Sequence, residues 1–69
     1  MNKYIIPICD IKESSVYNIV ISATGIHDCE DKIMETFSDY STALEYNDFL
    51  NELDKQDILI GDIEDIESL

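Results

Sequence analysis

Lys3-Tyr4-Ile5-Ile6-Pro7-Ile8-Cys9-Asp10-Ile11, followed after Lys12-Glu13-Ser14-Ser15 by Val16-Tyr17-Asn18-Ile19-Val20-Ile21-Ser22-Ala23, is the stretch that decides the fold. Both runs are rich in β-branched and aromatic side chains, which suit a pleated surface, and the Glu13-Ser14-Ser15 break is turn-like. Together they predict a β-hairpin over residues 3–11 and 16–23. In the second strand Tyr17, Ile19, Ile21 and Ala23 share one face, while Asn18 and Ser22 mark the other as half-wet. In the first strand both alternating sets are apolar, Ile5, Pro7, Cys9 and Ile11 on one side and Tyr4, Ile6 and Ile8 on the other, so its buried face stays open. Pro7 has no N–H to give to a ladder, which favours a sheet edge or a bulge for this strand.

Outward from the hairpin, Thr24-Gly25 punctuates the chain. Asp28 then stands where it can cap a helix whose apolar positions Cys29, Ile33, Phe37 and Tyr40 recur at helical spacing. Ser41-Thr42 interrupts. Thr42 with Glu45 fits a capping box for a second helix, with Ala43, Tyr46, Phe49, Leu50 and Leu53 on one side and an end near Lys55. Asp57-Ile58-Leu59-Ile60-Gly61 reads as a short third strand with Gly61 as a bulge or stop. Leu59, Ile63, Ile66 and Leu69 also repeat at helical spacing, but a strand followed by a loosely held acidic tail over 62–69 is the preferred reading. The expected fold class is α+β: one ββααβ domain spanning 1–69, with an antiparallel three-stranded sheet and two helices packed on one face.

The chain of 69 residues carries sixteen acids against four lysines and no arginine, a net charge of −12. Residues 1–27 are electrically balanced by Lys3, Lys12, Asp10 and Glu13, so the excess lies wholly in 28–69, where only Lys32 and Lys55 oppose it. Such a field repels phosphates and anionic lipid and attracts basic protein surfaces, so direct nucleic-acid or membrane binding is not expected. Twelve isoleucines supply enough apolar surface for folding. A domain this small buries only about 60% of the surface its unfolded chain exposes, so its core is thin. No stretch approaches a membrane span or a signal-peptide core, and Cys9 and Cys29 form no C-x-x-C, which leads to the expectation of a cytoplasmic protein with reduced thiols. The scarcity of alanine, glycine, proline and arginine is the bias of an AT-rich coding sequence, such as that of a low-GC bacterium or its phage.

Motifs for chemistry are sparse. No Gly-rich phosphate loop, no G-x-S-x-G and no paired histidines occur, so neither a cofactor, a metal nor a catalytic residue is expected. Cys29 near a helix start with His27 beside it is the best nucleophile candidate. Asp28, Glu30 and Asp31 disfavour its thiolate, and the apolar stripe turns it toward the core. The acids lack the alternating Asp, the Gly and the final Glu of a calcium loop.

What remains is the placement of the acids. Asp31, Glu35 and Asp39 avoid the first apolar stripe, Glu45, Asp48 and Glu52 avoid the second, and Asp62, Glu64 and Asp65 extend the series into the tail. Like charges at i,i+4, such as Asp31 with Glu35 or Asp48 with Glu52, cost helix stability. These nine residues are therefore expected to form a partner-binding surface for a basic protein, such as a nuclease or another nucleic-acid-binding protein, acting as a nucleic-acid mimic. In size and charge the chain is similar to small phage-encoded inhibitors of restriction and CRISPR nucleases, although no motif carries that likeness. The alternative is an antitoxin, immunity protein or adaptor that acts through a sheet edge or a dimer contact. Monomer and homodimer are both open.

Overall fold

A computed structural model of the chain describes residues 1–66. In chain order the elements are β1 (Asn2–Asp10), β2 (Ser15–Ala23), α1 (Ile26–Thr36), α2 (Tyr46–Asp54), β3 (Ile58–Ile60) and β4 (Glu64–Asp65). The α+β class holds: an antiparallel sheet in the order β2-β1-β3, with both helices packed on one face. β4 adds a fourth strand to the three expected, because the chain continues along the same edge of β1 after Ile60.

The hairpin pairs from Asn2 opposite Ala23 to Asp10 opposite Ser15. It closes through a turn in which the Ser14 N–H donates to the Ile11 carbonyl at 3.2 Å and the Glu13 N–H to Asp10 Oδ1 at 3.2 Å. The two faces of β1 are now resolved. Tyr4, Ile6 and Ile8 lie under the helices, buried with Ala23, Cys29, Ile33, Phe37, Phe49, Leu53 and Ile58 in one core that holds no buried charged residue. Ile5, Pro7 and Cys9 therefore face the other way.

The expectation that Pro7 sends the first strand to an edge or a bulge fails: β1 is the central strand, paired with all three others. The reason is directional. The Pro7 carbonyl accepts from the Gly61 N–H at 2.9 Å, so the nitrogen of Pro7 also aims at the β3 side and no bond to β2 is lost. Along β3, Ile60 stands opposite Ile8, while along β4, Glu64 stands opposite Ile5. Between them Pro7 meets Gly61, and Asp62 and Ile63 together oppose Ile6. That is a bulge of one extra residue, in the partner strand and beside the missing donor. Of the two expectations for Gly61, the stop holds, since β3 ends at Ile60, and the bulge lies just beyond it at Asp62 and Ile63.

Three further expectations are corrected. Asp28 is not the cap of α1, which begins at Ile26 after Gly25. Asp28 sits in the first turn and accepts the Thr24 N–H at 3.0 Å, while its other neighbour is the Lys32 ammonium at 3.2 Å. Tyr40 leaves the stripe because α1 stops at Thr36, and its exposed ring leans on Phe37 at 6.2 Å. The Thr42–Glu45 box does not form: α2 starts after Glu45, whose backbone is extended and whose side chain makes no capping bond, and the Ser41 Oγ instead accepts the Ala43 N–H at 3.1 Å. The later start aligns Tyr46 and Phe49 as a stacked pair at 5.9 Å above the sheet. α2 ends at Asp54 with Lys55 as its C-terminal cap, near Lys55 as expected.

Residues 62–66 are not a loose tail. Glu64 and Asp65 pair with β1, the Ile66 N–H donates to the Lys3 carbonyl at 2.9 Å, and Ile63 packs against the core. The extended path through Ile66 also replaces the helical alternative, and the rest of the expected tail, 67–69, lies outside the described residues. Cys9 and Cys29 are free thiols. Among the described residues no helix is long and apolar enough to cross a membrane.

Gly61 is required where it stands, because a Cβ there would come within 2.6 Å of Pro7 Cγ. Gly61→Ala should cost about 1–3 kcal/mol in urea unfolding, the usual penalty of overpacking. In a Pro7→Ala background the same substitution should cost at least about 1 kcal/mol less, because the opposing ring is gone. Additive effects would mean that this apposition does not set the cost.

Candidate functional site

α1 and α2 lie side by side over the sheet, each burying a narrow apolar stripe: Cys29 and Ile33 from α1, Phe49 and Leu53 from α2. Met34, Tyr46 and Leu50 flank these stripes, and of the charged residues on the remaining helix surface seven are acidic and one, Lys32, is basic. Asp31, Glu35, Asp39, Glu45, Asp48 and Glu52 are all exposed on or beside the helical layer, as is Asp54. Only two lysines share the layer, and both are engaged. Lys32 spans Asp28 and the Ser22 carbonyl, 2.8 Å away, while Lys55 stands 3.5 Å from Glu52. Among the described residues no cation pairs with Asp31, Glu35, Asp39, Glu45 or Asp48.

The three acids expected further on divide. Asp62 is exposed on the bulge and reaches the margin of the helical layer, where it lines a groove. Glu64, directly opposite Ile5, belongs to the other face of the sheet. Asp65 stands opposite Tyr4 on the helix side and is half-buried. The one-residue bulge decides this split, since it exchanges the faces of all residues after Ile63 relative to an unbroken strand.

The groove, about 410 Å³, opens between α1, α2 and the bulge. Its walls are Ile26, Leu50, Ile60 and Ile63, with Glu30, Tyr46 and Asp62 as the polar members. Glu30 holds the imidazole Nδ1 of His27 at 3.4 Å, and the His27 side chain is otherwise fully in solvent. Burial first, and then the nearby Glu30 carboxylate, push the Tyr46 phenol up to about 12. Sequence reasoning did not single out Glu30 or Tyr46 as site residues, because their proximity depends on how the helices pack and not on spacing along either one.

Cys29 is buried, and burial together with Glu30 and Asp28 pushes its thiol above the ordinary value. A thiol held neutral beneath a helix is poorly placed for nucleophilic attack. Asp28 moves the other way, held below the usual carboxylate range by the Thr24 N–H and then by Lys32. Among the described residues no three of His, Cys, Asp and Glu are grouped so as to hold a metal ion.

Tyr46 gives the site a pH signature. The folded state favours its neutral phenol, so its contribution to stability is complete below the unfolded value near 10 and is lost as pH rises toward about 12. Wild type should therefore lose stability across that alkaline window more steeply than Tyr46→Phe, as followed by urea unfolding at fixed pH. Equal slopes would show that the phenol is not held neutral by the fold. No protein-family model, curated protein or solved structure matches this chain, so its function is argued from the surface described above.

Proposed function

We propose that this chain is a protein-binding inhibitor whose acidic helical layer docks into a basic groove of a nucleic-acid-handling protein and occupies the positions of phosphates. The observation that carries this reading is the segregation of unpaired carboxylates onto one layer. Acids four residues apart on a helix stand about 6 Å apart along its axis and form a row of acceptors for Arg and Lys. Phage inhibitors of restriction or CRISPR nucleases are the class this chemistry suits.

Helix energetics support the reading. Neither helix has a basic residue in its last turn, although a cation there would complement the helix dipole. α2 instead ends on Glu52 and Asp54. Asp31 with Glu35 and Asp48 with Glu52 each cost a few tenths of a kcal/mol. A small domain that keeps such costs is using the field for something other than its own stability. The groove adds an anchor point, its apolar walls suited to the stem of a long side chain and Glu30 and Asp62 to its cationic head.

A second reading, an antitoxin, immunity protein or adaptor that pairs through a sheet edge, is favoured by one observation. β2 is an outer strand of nine residues without a charge, proline or bulge. Its residues Val16, Asn18 and Val20 aim their backbone groups away from β1.

Competition with duplex DNA for a basic nuclease tests the leading reading. Inhibition should fall by roughly tenfold or more between about 50 and 200 mM salt. The triple variant Glu35→Gln, Asp48→Asn and Glu52→Gln should lose most of its inhibition at low salt while keeping its fold by circular dichroism. Inhibition indifferent to both salt and the triple variant would refute phosphate mimicry.

A further inference from the structure

The sheet has a second broad face, and no element of the chain covers it among the described residues. In a two-layer α+β domain that face is normally polar, because alternation sends hydrophobic residues in and polar residues out. Here the alternation fails. Cys9, at the middle of the sheet, lies between Val16 on β2 and Leu59 on β3, and these three point away from the helices. Ile5 and Pro7 continue the apolar column along β1, with Val20 opposite Ile5. Val16 is 78% exposed, Val20 58% and Leu59 42%, whereas Ile19, Ile21, Ile58 and Ile60, which flank Val20 and Leu59 on the opposite face, belong to the core or pack on it. The row Val16–Cys9–Leu59 is apolar across three strands, with Asn18 opposite Pro7 as the polar member between Val16 and Val20, and an exposed apolar patch of this kind marks a contact surface.

We infer that this open sheet face is the dimer interface, and that its occupant is a second copy of this chain packed sheet against sheet. Charge selects that occupant. A basic partner is drawn to the helical layer, whereas the open face carries Lys3 and Glu64 at one end and is otherwise neutral. For two molecules of charge −12 it is the approach that opposes the fewest carboxylates, since strand pairing places only Glu64 there, with Lys3 at the same end. Stacked sheets lie about 10 Å apart and each helical layer about 10 Å beyond its sheet, so the two acidic surfaces stand roughly 30 Å apart on opposite sides of the pair. That separation is several screening lengths at physiological salt.

Size agrees. The fold is a slab of 32 × 26 × 15 Å, so its two longer dimensions set an outer limit for the broad face close to the roughly 800 Å² that each partner contributes to a stable pair. An isologous two-fold arrangement lays the same apolar column on itself and closes, leaving no face for further growth. The inference does not depend on what the acidic layer binds, because both acidic layers remain outward in the dimer.

Light scattering and sedimentation over a dilution series should give a dimer with a dissociation constant of about 1 µM or tighter. Val16→Lys and Leu59→Lys, both at exposed positions, should each weaken it at least about tenfold with unchanged circular dichroism, since each places a charge inside the contact. Asp48→Asn on the helical layer should leave it intact. In the wild type, alkylation of Cys9 should be slow in the dimer and accelerate on dilution. A monomer at about 100 µM would overturn the inference. So would a dimer in which Cys9 alkylates at the monomer rate, or one that survives Leu59→Lys, since pairing through the β2 edge would leave both Cys9 and Leu59 uncovered.

Discussion

The pairing of β1 on both sides is the constraint from which the rest of this structure follows. Residues 2–10 meet β2 along one edge and the broken pair β3 and β4 along the other, and every long-range closure of the sheet passes through them. A proline in such a strand removes a donor that the neighbour would otherwise engage. The chain accommodates Pro7 by aiming the missing donor at the one place where the neighbouring strand departs from regular pairing. Gly61 approaches closely there, and Asp62 and Ile63 share the space opposite Ile6. The bulge then has a second effect, because the extra residue turns Ile63 toward the core and sends Glu64 to the opposite face.

Above that sheet the core is narrow. It consists of the inner residues of β1, the end of β2, Ile58 of β3 and one stripe from each helix, with the Phe37, Phe49 and Tyr46 rings filling the space between them. Each helix buries only two residues fully within its own span, so neither is held by a wide apolar face. Helices of this kind would ordinarily gain from opposite charges along their exposed sides. These carry like charges, and the two lysines available serve local tasks, Lys32 holding the helix start and the Ser22 carbonyl, Lys55 the helix end.

Much of this was legible in the residues because it depends on local periodicity. The hairpin, both helices and the third strand follow from alternation and from 3.6-residue spacing, and the outward placement of Asp31, Glu35, Asp48 and Glu52 follows from the same count. The central position of β1 was not legible. A proline rule counts a missing donor, but the side toward which the nitrogen points is fixed only when both neighbours are known. Capping was misread for a related reason. Asp28 and Thr42 have suitable chemistry but each stands three residues from the position that precedes its helix, and the starting points are set by the need of Cys29, Tyr46 and Phe49 to reach the core. The groove at Glu30 and Asp62 joins residues from α1 and the bulge that no spacing connects.

The ambiguity that sequence left in the first strand turns out to carry information. Two apolar faces on one strand are a contradiction only if a single layer covers the sheet. The helices cover Tyr4, Ile6 and Ile8, so the chemistry of Ile5, Pro7 and Cys9 calls for another layer on the far side. The charge distribution argues in the same direction from the opposite side of the molecule. Carboxylates crowd the helical layer and thin out toward the open face, as they must if one surface is to act at a distance while the other comes into dry contact. A slab with one acidic and one apolar face can bind through both at once, since closing the apolar contact between two copies presents both acidic layers outward.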